Sequence, residues 1–210
     1  MKYRIVGDST QTIAVELAAG DSVTSRLGSM LFARGAVTVV TTPSDPLWRS
    51  LSDALVAPGE PQLVIFRCDS GGGLVGFQTR SPGRIHAVTL NGSARLTVSR
   101  KRILALSSGV NCDPIHLDWA DNVPVPEKML VSAYGNGRLF LHGPGNLVEF
   151  TLRQDERMVV DGFRLVALDG GVDFEPKSPA STSEPIPSSG ILMMNLTGPG
   201  RVVLHTEPGG

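Results

Sequence analysis

The chain has 210 residues, a formal net charge of −1 and a hydrophobic fraction of 41%. A chain of this length can bury enough apolar surface for a stable core, and this composition excludes global disorder. The near-neutral charge excludes the broad positive field with which nucleic-acid-binding proteins neutralise phosphates.

Glycine and proline are abundant, with 24 and 15 residues respectively. Both oppose helix interiors, so the sequence predicts many turns between short strands. No stretch approaches the roughly 18 apolar residues of a membrane span, and the N-terminus does not resemble a signal peptide. Cys68 and Cys112 are the two cysteines, and Cys68 follows an apolar run. We therefore expect two reduced thiols and a cytoplasmic protein.

The first predicted module covers residues 1–60. Within it, Ile13, Val15 and Leu17 alternate with more polar or smaller residues, at the period of two that is typical of a half-buried strand. A polar turn at residues 18–21 then leads into a second strand. The module is predicted to be built from short antiparallel strands.

A short amphipathic helix is predicted at residues 46–57, where Leu47, Leu51 and Leu55 are spaced four apart beside Trp48. Trp48, Leu51 and Leu55 are the candidate residues for self-assembly or for contact with a partner. The alternative is that these three side chains cover the core of their own chain.

The second module, residues 61–126, and the third, residues 127–210, repeat the pattern of the first. A shift of 73 positions carries Leu17 onto Leu90, and a shift of 135 carries it onto Leu152. A module of one or two hairpins cannot bury its apolar face alone, so the modules are expected to pack together. Residues 177–189 are rich in Pro and Ser and predict a loop. Residues 198–205 resemble the start of a fourth copy, which we expect to pair with the first or third module and close the sheet.

Several segments together resemble a known family. Residues 3–8, 11–17, 20–23, 28–30, 71–77 and 196–202 are similar to the bacterial branch of the "altered inheritance of mitochondria, number twenty-four" family, whose biochemical function is unknown. The resemblance implies an all-β fold of three tandem β-sandwich repeats like those of the tryptophan RNA-binding attenuation protein. It also implies a pseudo-threefold, double-stranded β-helix-like arrangement, and a homo-oligomer with a trimer as one candidate. It brings no catalytic residues.

Two pairs of residues are weak candidates for a metal site. His116 and Asp118 lie two apart and would share one face of a strand, and His142 and His205 end similar strands of the repeat. A cupin-type site needs three or four such ligands on neighbouring strands. The alternatives are a polar linker for the first pair and two separate strand-end histidines for the second, so no cofactor is predicted.

Other chemistry has weaker support. The sequence contains no Gly-x-Ser-x-Gly nucleophile turn and no phosphate-binding loop, so it does not predict an enzyme. Arg100, Lys101 and Arg102 form the one dense basic cluster, and either a solvated turn or an RNA contact would explain it. Aromatic residues make up 5% of the chain, which is few for stacking on single-stranded RNA.

The sequence therefore favours a non-enzymatic, oligomeric scaffold or binding protein that associates with itself and has room for an unidentified protein partner. One alternative is a metal- or small-molecule-binding β-sandwich with cupin-like chemistry. A second alternative is an RNA-binding protein.

Overall fold

Strands dominate the computed structural model, which describes residues 1–41, 46–79, 81–116, 129–176 and 192–207, with side chains from Trp48 onward in the second range. Asp118, the Leu47 side chain and the predicted Pro/Ser loop at 177–189 lie outside the described residues. The chain is an all-β protein with one α-helix among the residues described, which confirms the all-β part of the predicted fold.

The first 78 residues form five strands and the helix. Polar or Gly-containing turns separate the first four strands, and Asp21 closes one of these turns by accepting a hydrogen bond from the Ala18 N–H at 2.9 Å. The elements are β1 (Lys2–Val6), β2 (Thr12–Ala18), β3 (Ser22–Arg26), β4 (Met30–Val40), α1 (Pro46–Leu55) and β5 (Leu63–Gln78). The helix falls within the range that the leucine spacing predicts.

The middle and final segments follow a similar order of strands. The middle segment has β6 (Gly83–Asn91), β7 (Leu96–Ser99), a 3₁₀ turn (Arg100–Arg102), β8 (Ile103–Ser107), β9 (Val110–Pro114) and β10 (Leu130–Pro144). The final segment has β11 (Leu147–Leu152), β12 (Arg157–Asp161), a 3₁₀ turn (Gly162–Arg164), β13 (Leu165–Asp169), β14 (Asp173–Pro176), β15 (Met193–Thr197) and β16 (Gly200–His205).

The described strands pair in two sheets, and each pair of neighbouring strands within a sheet is antiparallel. The large sheet runs β1-β2-β5-β3-β8-β10-β7-β13-β16-β11, with β4 also on β5 and with β6 and β9 also on β10. The small sheet is β12-β15-β14. The last strand, β16, pairs with β11 and β13, so it joins the third segment, which is one of the two places predicted for it.

The strand bounds follow the spacing found in the sequence. Shifts of 73 and 135 carry β2 onto residues 85–91 and 147–153, which coincide with most of β6 and β11. The same shifts carry β3 onto residues 95–99 and 157–161, which coincide with β7 and β12. The bounds of these opening strands therefore agree with the two shifts, and the repeat itself stays a prediction.

Three clusters of buried apolar side chains form the core. The first lies between α1 and the strands β7, β8 and β10 and includes Cys112. The second, which includes Cys68, lies under β2 and β5, where Ile13 and Val15 are fully buried. The third fills the final segment around β13 and β15. Both cysteines are reduced and buried. No helix among the described residues is long and apolar enough to cross a membrane.

Candidate functional site

The structure shows three of the four predicted metal candidates. His116 is exposed just beyond β9, and its proposed partner Asp118 lies outside the described residues. His142 on β10 and His205 on β16 are both buried, with 6% and 2% of their surface exposed. No group of three or more His, Cys, Asp or Glu side chains in the described residues is arranged to hold a metal ion.

The two buried histidines lie close to each other and to Arg102. Burial lowers the pKa of His142 to about 4, and the charges of Arg102 and His205 act in the same direction. Burial and Arg102 also lower the pKa of His205. Both rings are therefore neutral at pH 7, which is the form that accepts or donates single hydrogen bonds.

Their hydrogen bonds determine which ring nitrogen carries the proton. The Thr79 hydroxyl donates its one proton to the Ser81 carbonyl at 2.8 Å, so it accepts from Nε2 of His142 at 2.9 Å. Nε2 of His205 donates to the Phe163 carbonyl at 3.0 Å. Nδ1 of His205 is then a buried acceptor, and neither it nor the buried Nε of Arg102 has a hydrogen-bond partner among the described residues.

His142, Thr79 and Arg102 border a cavity of about 370 Å³. Arg26, Glu60 and Ser29 also line it. The rest of the wall is partly apolar, including Leu27 and Ile103. A cavity with convergent polar groups and apolar walls can hold a small molecule.

The predicted basic cluster does not present three cations to solvent. Arg100 is buried, and its guanidinium contacts both carboxylate oxygens of Glu60, with Nη2 at 3.0 Å from Oε1. It also donates to the Leu55 carbonyl at 3.0 Å. Lys101 is exposed and Arg102 is half-buried beside the cavity. Arg100 thus pairs with Glu60 and not with an external anion, and its bond to the Leu55 carbonyl anchors the end of α1.

The predicted contact residues on α1 cover the core of their own chain. Leu55 is buried, with 1% of its surface exposed. Trp48 and Leu51 are half-buried and pack against the first core cluster. Their role in assembly stays a prediction, because these contacts account for their apolar character within one chain.

The most exposed apolar strand is β4, which the sequence did not indicate as a contact surface. None of its residues is buried, and Met30, Leu31 and Phe32 expose 44%, 48% and 39% of their surface. The corresponding strands β8 and β13 are buried along almost their whole length. The shifts that carry Met30 onto Ile103 and Leu165 relate β4 to these two strands. The shifts match residue types, however, and carry no information on which strand is exposed.

Exposed apolar residues also lie at the other end of the chain. On β12, Val159 exposes 48% of its surface, and on β11, Val148 and Phe150 expose 38% and 40%. The shift of 135 relates Val148 and Phe150 to Ile13 and Val15, which are fully buried in the first segment. Two separate surfaces of the chain therefore expose side chains whose equivalents elsewhere form the core.

Comparisons with known proteins agree with the fold. A crystal structure of a Streptococcus pyogenes protein superposes with a TM-score of 0.76 at 17% identity, over 98% of this chain and 94% of that one. No protein with a curated description matches the chain. The family model described as "Mitochondrial biogenesis AIM24" matches residues 3–207. The chain belongs to the AIM24 family.

Proposed function

We propose that this protein is a non-enzymatic scaffold that works as a homo-oligomer. The observation that carries the proposal is β4, an 11-residue strand with no buried residue, although β8 and β13, the counterparts of its first five residues, are buried. An exposed apolar strand edge is a template for pairing with another strand. In the folded protein, the edge of β4 is therefore the surface on which we expect a second chain to bind.

The apolar surface on β4 contributes to association. Met30, Leu31, Phe32 and Val39 each expose between 39% and 48% of their surface. Complete burial of a fully exposed side chain of this kind contributes roughly 1.5–3 kcal/mol, so covering each of these half-exposed side chains contributes about half of that. Pairing of the backbone edge adds hydrogen bonds. These gains oppose the loss of translational and rotational freedom on association.

The repeat supports three related modules joined in series, which is an open form of the predicted pseudo-threefold arrangement. The opening strands of each segment recur at shifts of 73 and 135. Neighbouring segments are joined by equivalent pairings, β3 with β8 and β7 with β13. Repeated modules supply repeated surfaces, which is the usual basis of self-assembly by one chain.

A native mass spectrum of the untagged protein, recorded together with light scattering at about ten micromolar, tests the scaffold. We expect a single multiple of the 22.2 kDa chain mass. Leu31→Lys should lower that multiple, because it places a charge on the exposed face of β4. Val6→Lys is the matched control, since Val6 is also an exposed apolar strand residue, with 52% of its surface exposed. A wild-type protein that is monomeric at this concentration would overturn the proposal.

The polar cavity favours a second candidate function, the binding of a small anionic molecule. Arg102 and Lys101 supply positive charge there, and the buried Nε of Arg102 is a donor that has no hydrogen-bond partner in the described part of the chain. Titration calorimetry with inorganic phosphate and with acetate tests it directly. We expect binding that Arg102→Ala abolishes, whereas the absence of heat with both anions counts against this function.

The same native mass spectrum and a separate RNA-binding assay address the remaining alternatives. A retained ion, removed by chelator, would favour metal binding near His142 and His205. Binding of single-stranded RNA that falls steeply with salt would favour a nucleic-acid function through Lys101 and Arg102. The reduced state of Cys68 and Cys112 supports our proposal of a reducing, cytoplasmic location.

A further inference from the structure

Two strand pairings inside the chain join neighbouring segments of the repeat, and both are antiparallel. The first, β3 with β8, has the register Val23↔Ser107, Thr24↔Leu106, Ser25↔Ala105. The second, β7 with β13, has the register Leu96↔Asp169, Thr97↔Leu168, Val98↔Ala167. A shift of 73 carries Val23 onto Leu96, and Ser107 and Asp169 both correspond to Arg34. The two pairings are therefore the same contact, made twice.

A third contact of the same kind would join β12 with β4. The shifts that relate the segments give the register Met158↔Arg34, Val159↔Ala33, Val160↔Phe32. Within the described ranges, β12 pairs with β15 and β4 pairs with β5. Each strand therefore keeps one edge on which this contact is not made.

At the central position of the register, burial follows the presence or absence of this contact. Thr24 and Thr97 make it and expose 6% and 9% of their surface. Val159, their equivalent on β12, exposes 48%. On the opposite side of the contact, Leu106 and Leu168 are buried, whereas their equivalent Ala33 is exposed. Val159 on β12 and Ala33 on β4 are thus the exposed counterparts of residues that this contact buries elsewhere in the fold.

We propose that β12 of one copy pairs with β4 of a second copy, in the register Val159↔Ala33. This inference rests on the proposed homo-oligomer and specifies how it is built. The second copy is the occupant because each chain carries both halves of the contact, and because the contact already occurs twice in each chain with the same register. The two chains would contribute different strands, so the interface is heterologous and generates a closed ring or an open filament.

Engineered disulfides test this register. Residues directly opposite each other in an antiparallel pair have Cα atoms about 4.5–5.5 Å apart, within the range that a disulfide spans. Ala33→Cys and Val159→Cys introduce exposed thiols, while the native Cys68 and Cys112 are buried. The register control is Leu31→Cys, because residue 31 is displaced by two along β4 and lies roughly 7–8 Å diagonally from residue 159.

The single variants are co-expressed in pairs, oxidised with glutathione and analysed on non-reducing gels, after circular dichroism has shown wild-type secondary structure. Ala33→Cys with Val159→Cys should give a disulfide-linked dimer containing one chain of each type. Each variant alone, and Leu31→Cys with Val159→Cys, should give at least fivefold less dimer. The double variant Ala33→Cys/Val159→Cys should give a ladder of linked chains.

Three outcomes would overturn the proposal. Dimers from Val159→Cys alone would mean that two identical strands meet at a twofold interface. A disulfide within a single chain of the double variant would mean that β12 pairs with its own β4. A wild-type oligomer without any of these cross-links would mean that another surface holds it together, and the scaffold proposal would stand. A monomeric wild-type protein would instead overturn the scaffold proposal itself.

Discussion

Arg100 and Glu60 form a bidentate ion pair at the point where α1 gives way to β5. Nη2 of Arg100 lies 3.0 Å from Oε1 of Glu60, and Nη1 contacts Oε2. Burial alone would raise the pKa of Glu60, but hydrogen bonds from Arg100 and the Ala57 N–H, with the charges of Arg100 and Arg26, hold it below its usual value. The pair ties the helix to the 3₁₀ turn between β7 and β8.

Arg100→Met should lower the free energy of unfolding by about 2–4 kcal/mol. The loss of one partner of a fully buried pair costs about 3–5 kcal/mol, and the 24% exposure of the Glu60 side chain reduces that cost. Urea unfolding measures the change. Arg95→Met is the control, because the Arg95–Asp113 pair is exposed and such pairs contribute about 0–1 kcal/mol. Equal effects of the two substitutions would contradict a structural role for Arg100.

His142 should make the protein less stable as the pH falls from about 6.5 to about 4. Its pKa in the folded protein is lowered from 6.5 to about 4, so the unfolded chain binds the proton first. The stabilising contribution is therefore complete above pH 6.5 and is lost as the pH falls through that window, by up to roughly 3 kcal/mol. Urea unfolding at several pH values gives the profile.

His142→Gln should flatten this pH profile, since glutamine keeps a donor for the Thr79 hydroxyl but does not titrate. Some slope should remain, because the pKa of His205 is lowered as well. A profile of His142→Gln that superposes on that of the wild type would show that His142 does not titrate in this range.

Trp48→Ala should lower the free energy of unfolding by about 1–3 kcal/mol and leave the native mass unchanged. Trp48 is half-buried and packs against the first core cluster, so the substitution removes apolar contacts within the chain. Chemical denaturation and native mass spectrometry give the two readings. A fall in the native mass with unchanged stability would support the interface role that the sequence predicts for Trp48, Leu51 and Leu55.

Gly109→Ala should destabilise the protein by about 1–3 kcal/mol, because an added Cβ would collide with the Asn136 backbone carbonyl. The Gly109 carbonyl also accepts a hydrogen bond from the Asn136 N–H at 2.9 Å, so the two backbones cannot separate without loss. Thermal unfolding measures the effect. Gly72→Ala is the control, since the nearest atom there would be 3.8 Å away, and it should cost less.

Local patterns in the sequence predicted the strands well. The alternation of Ile13, Val15 and Leu17 gave the buried face of β2, and the shifts of 73 and 135 reproduced the bounds of its counterparts. Both signals depend on neighbours in the chain, where the period of two directly reflects the pleat of a strand. The leucine spacing gave α1 for the same reason.

Burial and ion pairing were harder to predict, because they depend on residues far apart in the sequence. Arg100 contacts Glu60 across 40 positions, so the basic cluster appeared solvated although one of its members is buried. Met30 matches Ile103 in residue type, but Ile103 is buried in the first core cluster whereas Met30 is exposed. His142 and His205 do lie together, but beside Arg102 rather than a third ligand.

The two reduced cysteines lie in different core clusters, so the reactivity of each thiol reports on the opening of its own cluster. Cys112 belongs to the first core cluster and Cys68 to the second, and burial raises the pKa of Cys112 to about 12. Alkylating reagents attack the thiolate, so each thiol becomes reactive only when its own part of the interior opens to water. Labelling rates followed by mass spectrometry would therefore show whether the two clusters open in one cooperative event or one before the other.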